Sequence, residues 1–248
     1  MNFKEHTLTI DGRSITVKRD TLLIEACKKL RIEVPTLCHN ENLKPYGVCR
    51  FCQVEVNEGK RTRLVPSCVY EIRKDGLTVT TDSERIRNNR KWLIQLLLAR
   101  CDRQKDVLDF AAKYGVAPVE RLTKKNDDCI LCGQCVRACG EIVGVGAIGY
   151  ERRGEKREVT SPYRDKNPVC IACGTCVYVC PTHCIAMTEE NGVRTISRYA
   201  GEKKMVVREA KMLSCGKCGN YFLPSSVAEV FAKKMGIDPT VFTCPSCR

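Results

Sequence analysis

The sequence predicts an α+β chain of four small pieces, each tied together by cysteine rather than by one large apolar core. Three observations carry that expectation. A doubled cysteine run fills the middle, first at Cys129, Cys132, Cys135 and Cys139, then at Cys170, Cys173, Cys176 and Cys180. An alternating strand–turn–strand pattern near the N-terminus precedes a loop bearing Cys38, Cys49 and Cys52, with Cys68 beyond it. Two C-x2-C pairs, Cys215/Cys218 and Cys244/Cys247, follow near residue 248. Small domains bury too little surface to rest on apolar packing alone, and nineteen cysteines offer the missing staples.

Each copy of the central run reads C-x2-C-x2-C-x3-C, with Pro181 after the second. This is the run that holds 4Fe–4S clusters in bacterial-type ferredoxins. Three thiolates on one tight loop reach three corners of a cubane. The fourth, after a short spacer, points to the other cluster. The expected ligand sets are therefore Cys129, Cys132, Cys135 and Cys180 for one cluster, and Cys170, Cys173, Cys176 and Cys139 for the second.

Toward the N-terminus, Leu8, Ile10, Ile15 and Val17 alternate around Asp11-Gly12, a hairpin signal. Asp20 and Thr21 then open a short helix that buries Leu22, Leu23, Ile24 and Ala26. The cysteines that follow have the spacing C-x10-C-x2-C-x15-C, the third leading into a strand from Gln53 to Val56. Two strands and a helix before a cysteine loop follow the β-grasp ferredoxin plan. The first gap is longer than the C-x4-C of the plant type. Cys38, Cys49, Cys52 and Cys68 are the expected ligands of a 2Fe–2S cluster, with a structural zinc site as the alternative. Gly47 suits a backbone that must approach a cluster closely, and Leu77 to Thr80 would close the sheet.

A capping box at Thr81 and Glu84 opens a helix through Arg100, with Ile86, Leu93, Leu96 and Leu97 on its apolar face and Arg85, Arg87, Arg90 and Lys91 on its polar face. A second helix, Lys105 to Tyr114, ends at Gly115. The stretch from Gly144 to Gly149 matches G-x-G-x-x-G, but no strand precedes it and no βαβ unit fits around it, so a dinucleotide site is not expected. The C-terminal pairs form C-x2-C-x25-C-x2-C, the four-thiolate pattern of a zinc ribbon or a rubredoxin-like single iron, and Ser225 to Met235 reads as a helix between them. Zinc is the first choice for Cys215, Cys218, Cys244 and Cys247, since a knuckle that docks a partner needs no redox activity. The expected divisions are 1–80 for the β-grasp 2Fe–2S ferredoxin domain, 81–123 for a helical connector, 124–205 for the two-4Fe–4S ferredoxin domain and 206–248 for the metal knuckle.

Cys27, Cys101 and Cys184 remain and read as packing residues. His6 is expected on a solvent-facing strand position, His39 beside a cluster ligand and His183 near the second cubane. No arrangement of these suggests hydrolysis, and no P-loop or H-E-x-x-H is present. The net charge of +13 invites a nucleic-acid reading. Four-thiolate sites each carry about −2, so four of them bring the balance to roughly +5, an ordinary surface. Residues Met1 to Ile10 lack the apolar core of a signal peptide, and no stretch reaches membrane-span length. A cytoplasmic protein is expected, where thiols stay reduced and C-x2-C pairs read as metal sites.

The order of these motifs resembles the N-terminal region of the large iron–sulfur subunit of respiratory complex I. It also resembles the diaphorase small subunit of NAD-linked hydrogenases and the start of iron-only hydrogenases. The matching stretches are Gly47 to Val56, Cys129 to Gly149 and Cys170 to Pro181, and the likeness covers residues 1 to about 190. Those families usually carry an H-x3-C-x2-C-x5-C cluster site after the connector helix. Here Leu96 to Gly115 holds only Cys101 and no histidine, so that cluster is not expected. The C-terminal knuckle looks like those appended to some subunits of hydrogenase and formate-linked complexes.

The resemblance implies an iron–sulfur electron-transfer subunit in a hetero-oligomeric oxidoreductase. Its partners would be a flavin- and NAD(P)-binding subunit and a catalytic subunit acting on hydrogen, formate or a similar substrate, with flavin-based electron bifurcation within the family's range. Substrate turnover by the chain alone is not expected. Two alternatives stay open: a self-contained iron–sulfur oxidoreductase, and a zinc-ribbon nucleic-acid binder, which steeply salt-dependent binding would reveal.

Overall fold

A computed structural model describes residues 4–59, 61–122 and 124–247. The chain divides into two compact units, one of Met1–Asp102 with Val107–Lys124, the other of Arg103–Asp106 with Lys125–Arg248. The division expected at 123/124 abuts residue 123, which lies outside the described residues.

The first unit is built on a five-stranded sheet. Its strands are β1 (Glu5–Ile10), β2 (Arg13–Lys18), β3 (Gln53–Asn57), β4 (Thr62–Pro66) and β5 (Leu77–Thr80), in the order β2-β1-β5-β3-β4. Only the β1–β5 pair is parallel; the others are antiparallel. Asp11 and Gly12 link β1 to β2 with φ of 45° and 78°, the left-handed pair that a two-residue hairpin needs. Helix α1 (Leu23–Lys29) buries Leu23, Ala26 and Cys27 against Leu8, Ile10, Val54, Val56 and Val79. Leu22, without a side-chain cap, holds the N-cap position rather than Asp20 or Thr21. His6 departs from expectation. It is buried, and Nδ1 meets the Asp75 carboxylate at 3.0 Å, so the β1 face judged solvent-exposed is covered by the loop before β5.

Helix α2 (Glu84–Arg100) is capped two residues later than the capping box implied. Ser83 is its cap and accepts from the Ile86 amide at 3.2 Å, while the Thr81 hydroxyl is taken by Asp11 at 2.6 Å. The buried stripe is Ile86, Arg90, Ile94 and Leu98, and Leu96 points outward at 54% exposure. Arg90 is thus buried rather than on the polar face. Its guanidinium donates to the carbonyls of Phe51, Gln53 and Thr81, each at 3.3 Å. An arginine can sit there because three backbone carbonyls accept from its guanidinium. Helix α3 (Lys105–Lys113) stops before Gly115, which has φ of 61°. Phe110 and Tyr114 clamp the ring of Phe51, with centroids 5.0 and 5.5 Å away. Phe51 lies between Cys49 and Cys52, so this aromatic group anchors the cysteine loop.

In the second unit, two short helices, α4 (Gln134–Arg137) and α5 (Thr175–Tyr178), follow the first two cysteines of each run. A π-turn, Ala138–Ile142, extends α4 and carries Cys139. Strands β6 (Gly149–Glu151) and β7 (Glu158–Thr160) pair as a small ribbon, so the G-x-G-x-x-G stretch runs into a strand, with no helix after it. A four-stranded antiparallel sheet then follows in the order β11-β10-β9-β8, from β8 (Ile185–Glu190), β9 (Val193–Ala200), β10 (Lys203–Ser214) and β11 (Tyr221–Pro224). Helix α6 (Ser225–Met235) ends at Gly236.

The sequence reading left most of this sheet out. Its signal was Asn191-Gly192, with φ of 50° and 72°, an Asn-Gly hairpin turn that polar flanking residues obscured. Tyr221 lies over Gly192, where an added Cβ would approach its ring within 2.6 Å. Strand β10 runs through the expected division at 205/206, because Lys203 to Lys211 pair with β9, across a bulge between Val206 and Arg208, and Met212 to Ser214 with β11.

The loop anchor gives a stability test. Phe51→Ala is expected to cost about 3–5 kcal/mol, and Arg90→Leu about 1–3 kcal/mol through its orphaned carbonyls. Denaturant unfolding of the reconstituted protein measures both, and a wild-type midpoint for either variant would contradict the anchoring role.

Candidate metal centres

In the first unit, the loop after α1 folds Cys38 and Cys49 back toward Cys52 and Cys68. The Cys38 sulfur contacts those of Cys49 and Cys68, and Cys68 contacts Cys52. Cys38, Cys52 and Cys68 are buried, and Cys49 is half-buried. Left-handed residues shape the approach: Gly47 has φ of 66° and Arg50 has φ of 58°. A Cβ on Gly47 would press within 3.1 Å of the Val69 side chain, so glycine is needed there for space as well as for φ. Amides converge on the sulfurs. Val48 and Cys49 donate to Cys38, and Phe51 donates to Cys49 at 3.5 Å. Hydrogen bonds from Cys68, then from its own amide and Ser67, bring Cys52 down to about 6 against the opposing effect of burial. Four convergent thiols with amide donors fit a two-iron cluster, whose sulfurs carry negative charge that such donors stabilise.

In the second unit the two cysteine runs adopt the same local path. Leu131 and Ala172, each just before the second cysteine, have φ of 56° and 55°; Gly133 and Gly174, just after it, have φ of 77° and 81°. Non-glycine residues in the left-handed region are costly and persist only where surrounding structure demands them. Here the alternation turns three sulfurs of one loop inward. The fourth cysteine crosses over. Cys135 is raised well above its ordinary range by burial, then by the charges of Cys129, Cys132, Cys180 and, from the other run, Cys176. Cys176 is pushed up to about 12 by burial, then by Cys170, Cys173 and Cys139. The structure thus brings together the two sets expected from spacing. An apolar cavity lined by Val143, Val145, Ile148 and Val207 receives Cys139, Cys170, Cys173 and Cys176. Its donors are thiols and backbone amides, among them Ala147 N–H to Cys139 Sγ at 3.2 Å, and this set fits a cubane.

One residue near the first cubane set was missed. Cys184, read as packing, has its sulfur 3.6 Å from Cys180 Sγ and in contact with Cys129. Arg198, 4% exposed, lies beside Cys129 and Cys184 and donates to Asp127 at 2.9 Å. Asp127 in turn accepts from the Cys129 amide at 3.2 Å. No spacing rule links residue 198 to a cysteine loop; only the pairing of β8 with β9, which sets Ile185 opposite Arg198, brings it there.

At the C-terminal end, Cys215, Cys218, Cys244 and Cys247 place their sulfurs within 4.8 Å of one another. Cys218 and Cys244 are 3.6 Å apart. A tetrahedral ion with metal–sulfur bonds of about 2.3 Å sets its sulfurs about 3.8 Å apart, so the group fits one ion. Amides of Cys244, Cys218 and Lys217 point at the Cys215 sulfur and lower it to about 6. Hydrogen bonds from Gly219 N–H to Cys215 O (2.8 Å) and Cys247 N–H to Cys244 O (3.0 Å) close the two knuckles. The expected outcome of Cys215→Ala is loss of about one metal ion per chain with the iron of the other centres retained, read by elemental analysis. Loss of iron as well would contradict a self-contained ion site.

Comparison with known proteins places these centres in context. Residues 4–84 match the 2Fe-2S iron-sulfur cluster binding domain, and residues 121–181 match the 4Fe-4S dicluster domain. The chain is 37% identical over 174 residues to the alpha subunit of NADPH-Fe(3+) oxidoreductase of Geobacter sulfurreducens, covering 60% of this chain and 20% of that protein. It is 30% identical over 200 residues to a subunit of the NADH-quinone oxidoreductase of Rickettsia bellii, covering 70% and 28%. It is 30% identical over 203 residues to the mitochondrial 78 kDa subunit of NADH-ubiquinone oxidoreductase of Neurospora crassa, covering 71% and 27%. The chain therefore spans 20–28% of the length of these relatives. In a crystal structure of NAD+-reducing [NiFe]-hydrogenase in the H2-reduced state, one chain superposes with a TM-score of 0.52 at 27% identity, covering 63% of this chain and 74% of that one. The chain is thus similar to a part of these oxidoreductase subunits, and it carries a 2Fe–2S cluster binding domain and a 4Fe–4S dicluster domain in one polypeptide.

Proposed function

We propose that the chain is an electron-relay subunit of a multi-subunit NAD(P)-linked oxidoreductase, holding one 2Fe–2S cluster, two 4Fe–4S clusters and one zinc ion. The observation that supports this reading is the placement of Cys139 and Cys180: Cys180 lies among the thiols around Cys135, and Cys139 shares a cavity with Cys170, Cys173 and Cys176. Two adjacent one-electron centres suit transfer along a path rather than chemistry on a bound substrate. Iron–sulfur clusters supply the one-electron steps when bound.

The chain's own residues orient and tune. Amides at Val48, Phe51 and Ala147 aim donors at sulfur, and Arg198 brings a buried positive charge beside Cys129. Val143, Val145, Ile148 and Val207 exclude water around Cys139, Cys170, Cys173 and Cys176. The ligands proposed for the 2Fe–2S cluster are Cys38, Cys49, Cys52 and Cys68, and those for zinc are Cys215, Cys218, Cys244 and Cys247. Zinc suits the last set because a redox-silent ion would lock the knuckle that follows β10 and β11 as a docking element.

The proposed partners are a flavin- and NAD(P)-binding subunit on one side and a catalytic subunit on the other. Subunits of NAD(P)H-linked oxidoreductases and an NAD+-reducing hydrogenase among the relatives support that assembly. Among the described residues no helix is long and apolar enough to cross a membrane. A reducing cytoplasm would keep the thiols available for metal.

Two measurements test the proposal. Elemental analysis of the reconstituted chain is expected to give about ten irons and about one zinc, and Cys139→Ala is expected to lose about four irons while the 2Fe–2S signal persists. About fourteen irons would mean a further cluster. In a viologen assay the isolated chain is expected not to oxidise NADH, and turnover by the chain alone would overturn the subunit reading.

A further inference from the structure

The cluster set around Cys129 has five thiols where a cubane needs four. The geometry points to Cys184 as a reserve ligand for this cluster, able to take the iron corner held by Cys180. This inference rests on the ligand sets proposed above.

Three observations support it. Cys184 is buried, and its sulfur lies 3.6 Å from Cys180 Sγ and in contact with Cys129, so both candidate ligands face the same corner. The connection between them is short and bent: Pro181, Thr182 and His183 lie between, and His183 has φ of 49°, which folds the chain back so that the two thiols converge. Arg198, 4% exposed, also borders this group of thiols: it is ion-paired with Asp127 at 2.9 Å and lies beside both Cys129 and Cys184, while its Nε has no hydrogen-bond partner.

The exchange balances without an oxidant or reductant. With a cluster bound, Cys184 would supply a sulfur–iron bond and give up its proton, and Cys180 would release its bond to the same iron and take up that proton across the short gap between the sulfurs. No electron is gained or lost, and the ligand count stays at four. Among the described residues nothing comparable surrounds the second set, where the thiols grouped with Cys170 are Cys139, Cys173 and Cys176. A reserve thiol would let the first cluster survive loss of one ligand and would give it two ligation states.

The test uses the reconstituted full-length chain, with iron content and low-temperature EPR as readouts. Wild type is expected to hold about ten irons; a value near two or six in wild type would mean that the cluster assignment has failed, independently of Cys184. Cys180→Ala is expected to keep about ten irons with altered g-values for one cluster, and the double variant C180A/C184A to fall to about six. Cys132→Ala, which has no spare thiol assigned to it, is expected to fall to about six as well. If Cys180→Ala alone drops to about six, the second cubane and the 2Fe–2S cluster remain to show that the chain is folded, and the reserve role is wrong. If Cys180→Ala fails to hold any cubane, Cys180→Ser decides. Its EPR spectrum is expected to differ from that of C180S/C184S, and identical spectra would overturn the proposal.

Discussion

Convergence of buried thiols is the constraint on which the rest of this structure depends. A thiol taken out of water resists ionisation, and a group of them resists it more, because each thiolate formed repels the next. At Cys135 and Cys176 burial comes first and neighbouring cysteines second among the causes that raise the thiol. A metal reverses that balance, since its charge makes the coordinated thiolate the favoured form. Binding of the clusters is therefore linked to folding. The apolar core of the second unit is itself built from Cys129, Cys135, Cys180 and Cys184 together with Ile148, Val159, Ile185, Ile196 and Val207. Without metal, that core has thiols at its centre and little else to replace them.

The two units solve the same problem differently. In the first, the sheet and α1 form a hydrocarbon core in which cysteine plays a minor part, and the loop from Cys38 to Cys52 is held from outside by Arg90 and the rings of Phe110 and Tyr114. In the second, left-handed turns at Leu131 and Ala172 hold the cysteine loops in a shape that the sulfurs require. Strands β8 to β11 then carry the chain from the cubane sets to the C-terminal knuckle as one antiparallel sheet. The two cluster domains fit the proposed relay, in which spacing and burial are the protein's contribution and the electrons belong to the cofactors.

How much of this was legible in the sequence depended on the range of the interaction. Cysteine spacing is local chemistry, so the grouping of thiols could be read from residues three or four apart. The hairpin at Asp11-Gly12 was legible for the same reason. What escaped depended on distant partners. Arg90 looks like a surface residue until the carbonyls of Phe51 and Gln53 are seen to need it. His6 looks exposed until Asp75 is placed against it. Arg198 is brought to the first cubane set by the register of β8 against β9, and Cys184 by the tight bend at His183. The sheet from β8 to β11 was hidden because its strands alternate weakly and carry many charges. Only the Asn-Gly turn announced it.

The central claim is that crossing of Cys139 and Cys180 sets two cubanes side by side in one fold. Dipolar coupling between electron spins falls with the cube of their separation, so EPR of the reconstituted chain tests it most directly. Spectra recorded at partial and then full reduction are expected to show each 4Fe–4S signal broadened and split once its neighbour is also reduced. Signals that merely add, with unchanged line shape and relaxation, would contradict the account.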